Sequence, residues 1–114
     1  MRDLVILGST GSIGLQALEL VEGNPGKFRV AGITSAGNNP GVLIEQAKKF
    51  DVGVVGTILN AELIREALPG VTVIDGADAA AQVASITCDV VLNAITGSVG
   101  LAATLSALKV GNRL

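Results

Sequence analysis

The chain is predicted to be an α/β protein built on a doubly wound parallel sheet, and three observations predict it. Short aliphatic runs alternate with amphipathic stretches along its 114 residues. A glycine-rich turn, Gly8–Gly14, follows the first aliphatic run directly. Apolar residues make up 49% of the chain and charged residues 16%, with Ala, Val, Leu and Ile supplying nearly all of the apolar content. That composition suits parallel strands, which are buried on both faces and read as continuous aliphatic runs.

Leu4–Leu7 is the first strand. Ser12–Val21 then reads as a helix, with Ile13, Ala17, Leu18 and Val21 at inward spacing. Gly23-Asn24-Pro25-Gly26 stops it. Phe28–Thr34 is the second strand and Ser35–Asn39 a polar loop. Pro40 suits a first helical turn, with Asn39 or Asn38 as its cap. That helix runs to about Phe50, turning Val42, Leu43, Ala47 and Phe50 inward. Val52–Val55 is a third strand. Asn60 caps a helix through about Leu68, and Pro69-Gly70 ends it. Val71–Ile74 is a fourth strand. Ala77–Ile86 is an Ala-rich helix, as helix propensity allows. Asp89–Ala94 is a fifth strand, Ser98–Val110 a further helix, and Gly111 its C-cap. Gly111–Leu114 reads as the turn and opening residue of a sixth strand, so the chain is expected to be truncated.

Composition also excludes functions. A net charge of −2, with two Phe and no Trp or Tyr, argues against a nucleic-acid surface. No His is present, so a Ser-His-Asp triad and a His/Cys zinc site are ruled out. Cys88 is the only cysteine, which fits a reducing compartment, and it reads as a small apolar group. Asp75, Asp78 and Asp89 show no metal-ligand spacing. Neither a signal peptide nor a membrane-length apolar run is present, and the expectation is a soluble, cytoplasmic protein.

Chemistry concentrates in Gly8-Ser-Thr-Gly11-Ser-Ile-Gly14, set between a strand and a helix, with a second strand about twenty residues on. Gly8 lets the chain leave the strand sharply, Gly11 admits a pyrophosphate close to the backbone, and Gly14 lets helix pack on strand. Amides from Thr10 to Ile13 would face the phosphates at the positive end of the helix. The reading is a Rossmann-like NAD(P)-binding domain; the alternative is a glycine turn that merely links strand to helix. The spacing is G-x-x-G-x-x-G. At the end of the second strand, Ile33–Asn39 carries no acid to bind a ribose diol. That favours NADP(H), recognised by Ser35, Asn38 and the amides around Gly37, although no Arg or Lys is present there. Asn38 and Asn39 serve equally well as caps alone. Asn93–Gly100, after the fifth strand, either flanks the nicotinamide or is an ordinary turn.

Leu7–Gly14, Asn24-Pro25, Phe28-Arg29-Val30 and Ala36-Gly37-Asn38 closely resemble the amino-terminal region of 1-deoxy-D-xylulose 5-phosphate reductoisomerases. Asp89–Ile95, Gly97, Gly100-Leu101, Thr104-Leu105 and Ala107-Leu108 resemble that family's next block. The resemblance spans nearly the whole chain. It implies an NADPH-dependent enzyme that isomerises and reduces 1-deoxy-D-xylulose 5-phosphate to 2-C-methyl-D-erythritol 4-phosphate in non-mevalonate isoprenoid synthesis. It further implies Mg²⁺ or Mn²⁺, a homodimer, and a sugar-phosphate substrate. By the family pattern, Thr10, Gly11, Ser12 and Ile13 contact the NADPH phosphates, and Ala36, Gly37 and Asn38 lie at the 2′-phosphate end. Members often carry a basic residue where Gly37 stands here.

Family members are also several times longer. Their Asn-Lys-Glu motif, metal ligands and substrate site would fall after Leu114. Residues 1–114 are therefore expected to be the NADPH-binding Rossmann domain alone, with no catalytic residue or metal ligand and no turnover. Two rival readings are the cofactor domain of another NAD(P)-dependent reductase, such as an aspartate-semialdehyde dehydrogenase or dihydrodipicolinate reductase relative, and a non-enzymatic nucleotide-binding module.

Overall fold

A computed structural model describes residues 2–24, 26–86 and 88–93. Among these, five strands and four helices alternate: β1 (Arg2–Leu7), α1 (Ser12–Glu22), β2 (Phe28–Ser35), α2 (Pro40–Lys49), β3 (Val54–Thr57), α3 (Ala61–Ala67), β4 (Thr72–Asp75), α4 (Ala79–Ala84) and β5 (Val90–Asn93). The expected helix over Ser98–Val110, its cap at Gly111 and the strand opening after it lie outside the described residues, as does most of the Asn93–Gly100 loop.

The strands form one parallel sheet in the order β4-β3-β2-β1-β5. The chain winds outward from β1 to β4, then returns through α4 and lays β5 on the other side of β1. Winding direction thus reverses between β1 and β5. Right-handed crossovers require the helices to change faces at such a reversal, and they do. One core gathers Ile6, Ile33 and Val55 from the sheet with Leu18 and Val21 of α1, Leu43 and Ala47 of α2, and Ile64 of α3. The opposite core gathers Val5, Leu7 and Val91 with Ala80, Val83 and Ala84 of α4. Strand periodicity of two distributes Val5, Ile6 and Leu7 between these faces, which is why all three are fully buried. Complete burial of side chains such as Ile6 and Leu43 contributes about 1.5–3 kcal/mol each.

Several expected boundaries shift, each for a physical reason. β3 begins at Val54, two residues later than expected, because Val52 belongs to the end of α2. Asp51 turns left-handed at φ 52°, and Val52 N–H donates to Ala47 O at 2.9 Å, a Schellman closure. α4 is shorter than the apolar pattern suggested. Its alanines also do more than favour a helix: Ala79, Ala80 and Ala84 are buried. The sheet meets them with glycine. A Cβ on Gly32 would come within 3.0 Å of Val83 Cγ1, and one on Gly56 within 2.9 Å of Val83 Cγ2. Small residues on both sides let α4 lie close to the strands.

Three expected side-chain roles fail. Ile13 is 58% exposed rather than inward, because it sits in the first turn of α1, at the end of the sheet. Asn39 occupies the N-cap of α2 and Asn60 that of α3, yet neither side chain makes a capping hydrogen bond. Cys88 is half-buried. Its Sγ–H donates to Val90 O at 3.6 Å, and burial pushes the thiol pKa up. Among the described residues, no helix is long and apolar enough to cross a membrane.

Candidate functional site

The glycine turn lies at the carboxyl ends of β1, β2 and β5, where winding reverses; ligands of open α/β sheets bind in this crevice. Gly8 takes φ 81°, a left-handed geometry that favours glycine, and bends the chain out of β1. The turn is tied to β2 through its backbone. Thr34 O accepts Gly8 N–H at 3.0 Å and Ser9 N–H at 2.9 Å, and Thr34 Oγ1 lies 3.1 Å from the Gly8 nitrogen.

Ser9 is fully buried beneath the turn. Its hydroxyl donates to Gln46 Oε1 at 2.7 Å, and Gln46 Nε2 donates back to Ser9 O at 3.0 Å. Gln46, 93% buried on α2, is thus a two-pronged clamp on the turn. Sequence reasoning missed it. The signal was a polar residue beside Ala47, within the apolar stripe Leu43–Ala47–Phe50.

Gly11 caps α1 without a side-chain hydrogen bond, and α1 has no acid in its first turn. The first helical bond runs from Leu15 N–H to Gly11 O at 2.9 Å. The amides of residues 12–14 therefore have no helical carbonyl, which is how a helix N-terminus attracts an anion. The Gly11 amide differs from expectation. It donates to Gly8 O at 3.2 Å and closes the turn rather than facing outward.

The glycines have distinguishable reasons. A Cβ on Gly14 would collide with Gly8 O and stand 2.6 Å from Ser9 Cα, so Gly14 is required by packing. A Cβ on Gly11 would stand 3.6 Å from Gly8 O, an ordinary contact. Nothing within the described chain demands glycine there.

The loop after β2 adjoins this turn, since Leu7 and Thr34 pair across β1 and β2. Thr10 Oγ1 and Ser35 Oγ share a hydrogen bond at 3.1 Å, joining the two segments. Ser35 Oγ also accepts Gly37 N–H at 3.1 Å. Gly37 is buried at φ 89°, whereas Ala36 and Asn38 are exposed. The structure thus brings together the backbone of Thr10–Ile13 with Ala36, Gly37 and Asn38. On the other flank, Asn93 pairs with Leu7 across β1 and β5. Among the described residues, no group of three or more His, Cys, Asp or Glu is placed to hold a metal ion.

Parallel winding, a reversal point and an uncapped glycine turn beneath it define a Rossmann-like α/β domain. Residues 4–114 match the family model described as 1-deoxy-D-xylulose 5-phosphate reductoisomerase. The chain belongs to that family. It is 48% identical over 120 residues to the Streptomyces avermitilis 1-deoxy-D-xylulose 5-phosphate reductoisomerase, covering 96% of this chain and 30% of the relative. A solved Zymomonas mobilis reductoisomerase in complex with NADPH superposes with a TM-score of 0.89 at 33% identity, over 97% of this chain and 30% of that one. Another reductoisomerase structure, in complex with NADPH, fosmidomycin and magnesium, gives a TM-score of 0.92 at 28% identity, over 99% and 29% of the two chains. The chain therefore spans about 30% of the length of such relatives.

Proposed function

We propose that residues 1–114 form the NADPH-binding domain of a cytoplasmic 1-deoxy-D-xylulose 5-phosphate reductoisomerase. The whole enzyme would isomerise and reduce 1-deoxy-D-xylulose 5-phosphate to 2-C-methyl-D-erythritol 4-phosphate in isoprenoid precursor synthesis, acting as a homodimer. The observation that carries the reading is the first turn of α1, whose N–H groups lie beside a glycine that intrachain packing does not require. Thr10, Ser12 and Ile13 would hold the pyrophosphate through backbone amides, and Gly11, whose own amide closes the turn on Gly8 O, would let it approach the backbone. Ala36, Gly37 and Asn38 would meet the adenosine 2′-phosphate. Bound NADPH supplies the hydride for the reduction. The chain's own contribution is to bind and orient the cofactor at the sheet's reversal point, which fixes where that hydride is presented.

The residues fit that cofactor. Neither Gly8–Ile13 nor Ile33–Asn39 contains an acid that would repel phosphate. The metal ligands, Mg²⁺ or Mn²⁺ by the family pattern, and the sugar-phosphate site would be supplied outside this chain. The chain alone would accordingly bind cofactor without turning over substrate. Calorimetric titration with NADPH and NADH tests this. Binding of NADPH tighter than NADH supports it; a folded chain that binds neither overturns it.

A further inference from the structure

We infer that Asn60 is a positioning residue that sets preference for the phosphorylated cofactor, acting through Gly37. The inference rests on the cofactor reading above. Asn60 stands at the turn between β3 and α3 with φ 60° and ψ 29°. Asparagine is among the few residues other than glycine that visit this region readily. It holds the cap position of α3, but its side chain does not cap. Instead Nδ2 donates to Gly37 O at 2.8 Å, across 23 residues of sequence.

Gly37 needs such a partner because it has no side chain to hold it and lies at φ 89°. Three neutral hydrogen bonds fix the loop. Gly37 N–H donates to Ser35 Oγ at 3.1 Å, Leu59 N–H donates to Ala36 O at 2.9 Å, and the Asn60 amide completes the set. The turn that presents Asn60 is itself closed by Thr57 Oγ1–H donating to Leu59 O at 2.6 Å. Ser35 Oγ continues the chain of contacts to Thr10. Asn60, Gly37, Ser35 and Thr10 thus connect the 2′-phosphate end to the pyrophosphate turn.

Position 37 cannot accept a basic side chain in this conformation. A Cβ there would collide with Leu59 O and Thr57 Oγ1. Residues 33–39 contain no Arg or Lys, so a phosphate meets only neutral donors from this loop. Neutral donors are individually weaker than charged ones. They discriminate only when the fold holds them in place before the ligand arrives. Loosening the loop should therefore weaken NADPH, which carries the 2′-phosphate, far more than NADH.

The test is calorimetric titration of the unmodified chain, Asn60→Gly and Asn60→Asp with NADPH and NADH, alongside melting curves. Asn60→Gly keeps the left-handed backbone and removes the donor. Asn60→Asp keeps the shape and removes the donor, serving as second variant if the first does not fold. The expected result is a 5- to 10-fold rise in the NADPH Kd for Asn60→Gly, with the NADH Kd changed less than 2-fold. A merely structural role would lower melting temperature and weaken both cofactors equally. A folded variant whose NADPH-to-NADH affinity ratio stays within 2-fold of the unmodified chain overturns the inference alone. Failure of the unmodified chain to bind either cofactor overturns the cofactor reading and the inference together.

Discussion

Replacing Gly11 by serine separates the two reasons a glycine can stand in the turn. Gly11 has φ −79° and ψ 172°, extended backbone that serine adopts freely. A new Cβ would sit 3.6 Å from Gly8 O, with room to spare. The new hydroxyl can accept one of the unpaired first-turn amides, as serine does at helix caps. A Gly-to-Ser exchange at a cap favours serine by a few tenths of a kcal/mol. The melting temperature should hold steady or rise by about 1–2 °C. If the proposed cofactor site is right, NADPH affinity should move the other way, because the hydroxyl would occupy a donor that the pyrophosphate needs. Loss of one hydrogen bond to a charged group is worth about 1.5–3 kcal/mol, which raises Kd by roughly 10- to 150-fold. Thermal denaturation and calorimetric titration on the same preparation read both effects. A fall in melting temperature beyond about 4 °C would mean that Gly11 serves packing. An unchanged Kd in a stable variant would mean that the turn does not hold phosphate. Either result refutes the reasoning.

Gly14→Ala should behave oppositely, since its Cβ would meet Ser9 Cα at 2.6 Å; a loss of at least about 2 kcal/mol in urea denaturation is expected from such overpacking. Gln46→Ala removes both hydrogen bonds between Gln46 and buried Ser9, leaving the Ser9 hydroxyl only Thr34 O at 3.4 Å. It should cost about 2–3 kcal/mol and lower the melting temperature by roughly 8–12 °C, whereas an unshifted melt would show that the clamp contributes nothing. Gly56→Ala would press a Cβ to 3.0 Å from Thr34 Cγ2 and 2.9 Å from Val83 Cγ2, so denaturation should report about 1–3 kcal/mol lost and titration a weaker NADPH complex, because Thr34 anchors Gly8 and Ser9. Burial raises the Cys88 thiol pKa, so iodoacetamide should label it at pH 8 more slowly in the folded chain than in urea, and equal rates would contradict its protection.

The elements legible in the sequence were those whose apolar pattern matches one period. β1, β2 and α2 carry clean aliphatic runs or stripes, and their expected spans differ from the observed ones by two residues at most. Val52 misled because a β-branched residue serves equally as the start of a strand or as the apolar residue closing a helix; only the left-handed turn at Asp51 decides. Ile13 misled because helical spacing reports a face and not a depth along the axis. The glycine turn and the loop after β2 were legible as a candidate site, since three glycines and a run without charge are visible in one dimension. Their supports were not. Ser9 and Gln46 are 37 residues apart, and Gly37 and Asn60 are 23 apart. Asn60 reads in the sequence as a helix cap, and Gln46 carries no reading of its own there.

Those hidden supports answer a question the composition raises. The chain carries a net charge of −2, and neither Gly8–Ile13 nor Ile33–Asn39 contributes a cation. A dinucleotide carrying several phosphate charges would have to be held there by neutral dipoles. Water offers neutral dipoles too, and they are mobile. The protein's advantage would lie in fixing its own before the ligand binds, so that less ordering remains to be done on association. Thr34 fixes Gly8 and Ser9, Gln46 fixes Ser9 from below, Leu15 N–H fixes the Gly11 carbonyl, and Ser35 with Asn60 fixes Gly37. Every one of these bonds restrains a residue at or beside a donor without using up the amides of the first turn of α1. On the proposed cofactor reading, rigidity of this kind would take the place that a lysine or arginine otherwise fills, and would give the buried side chains around this backbone turn their purpose.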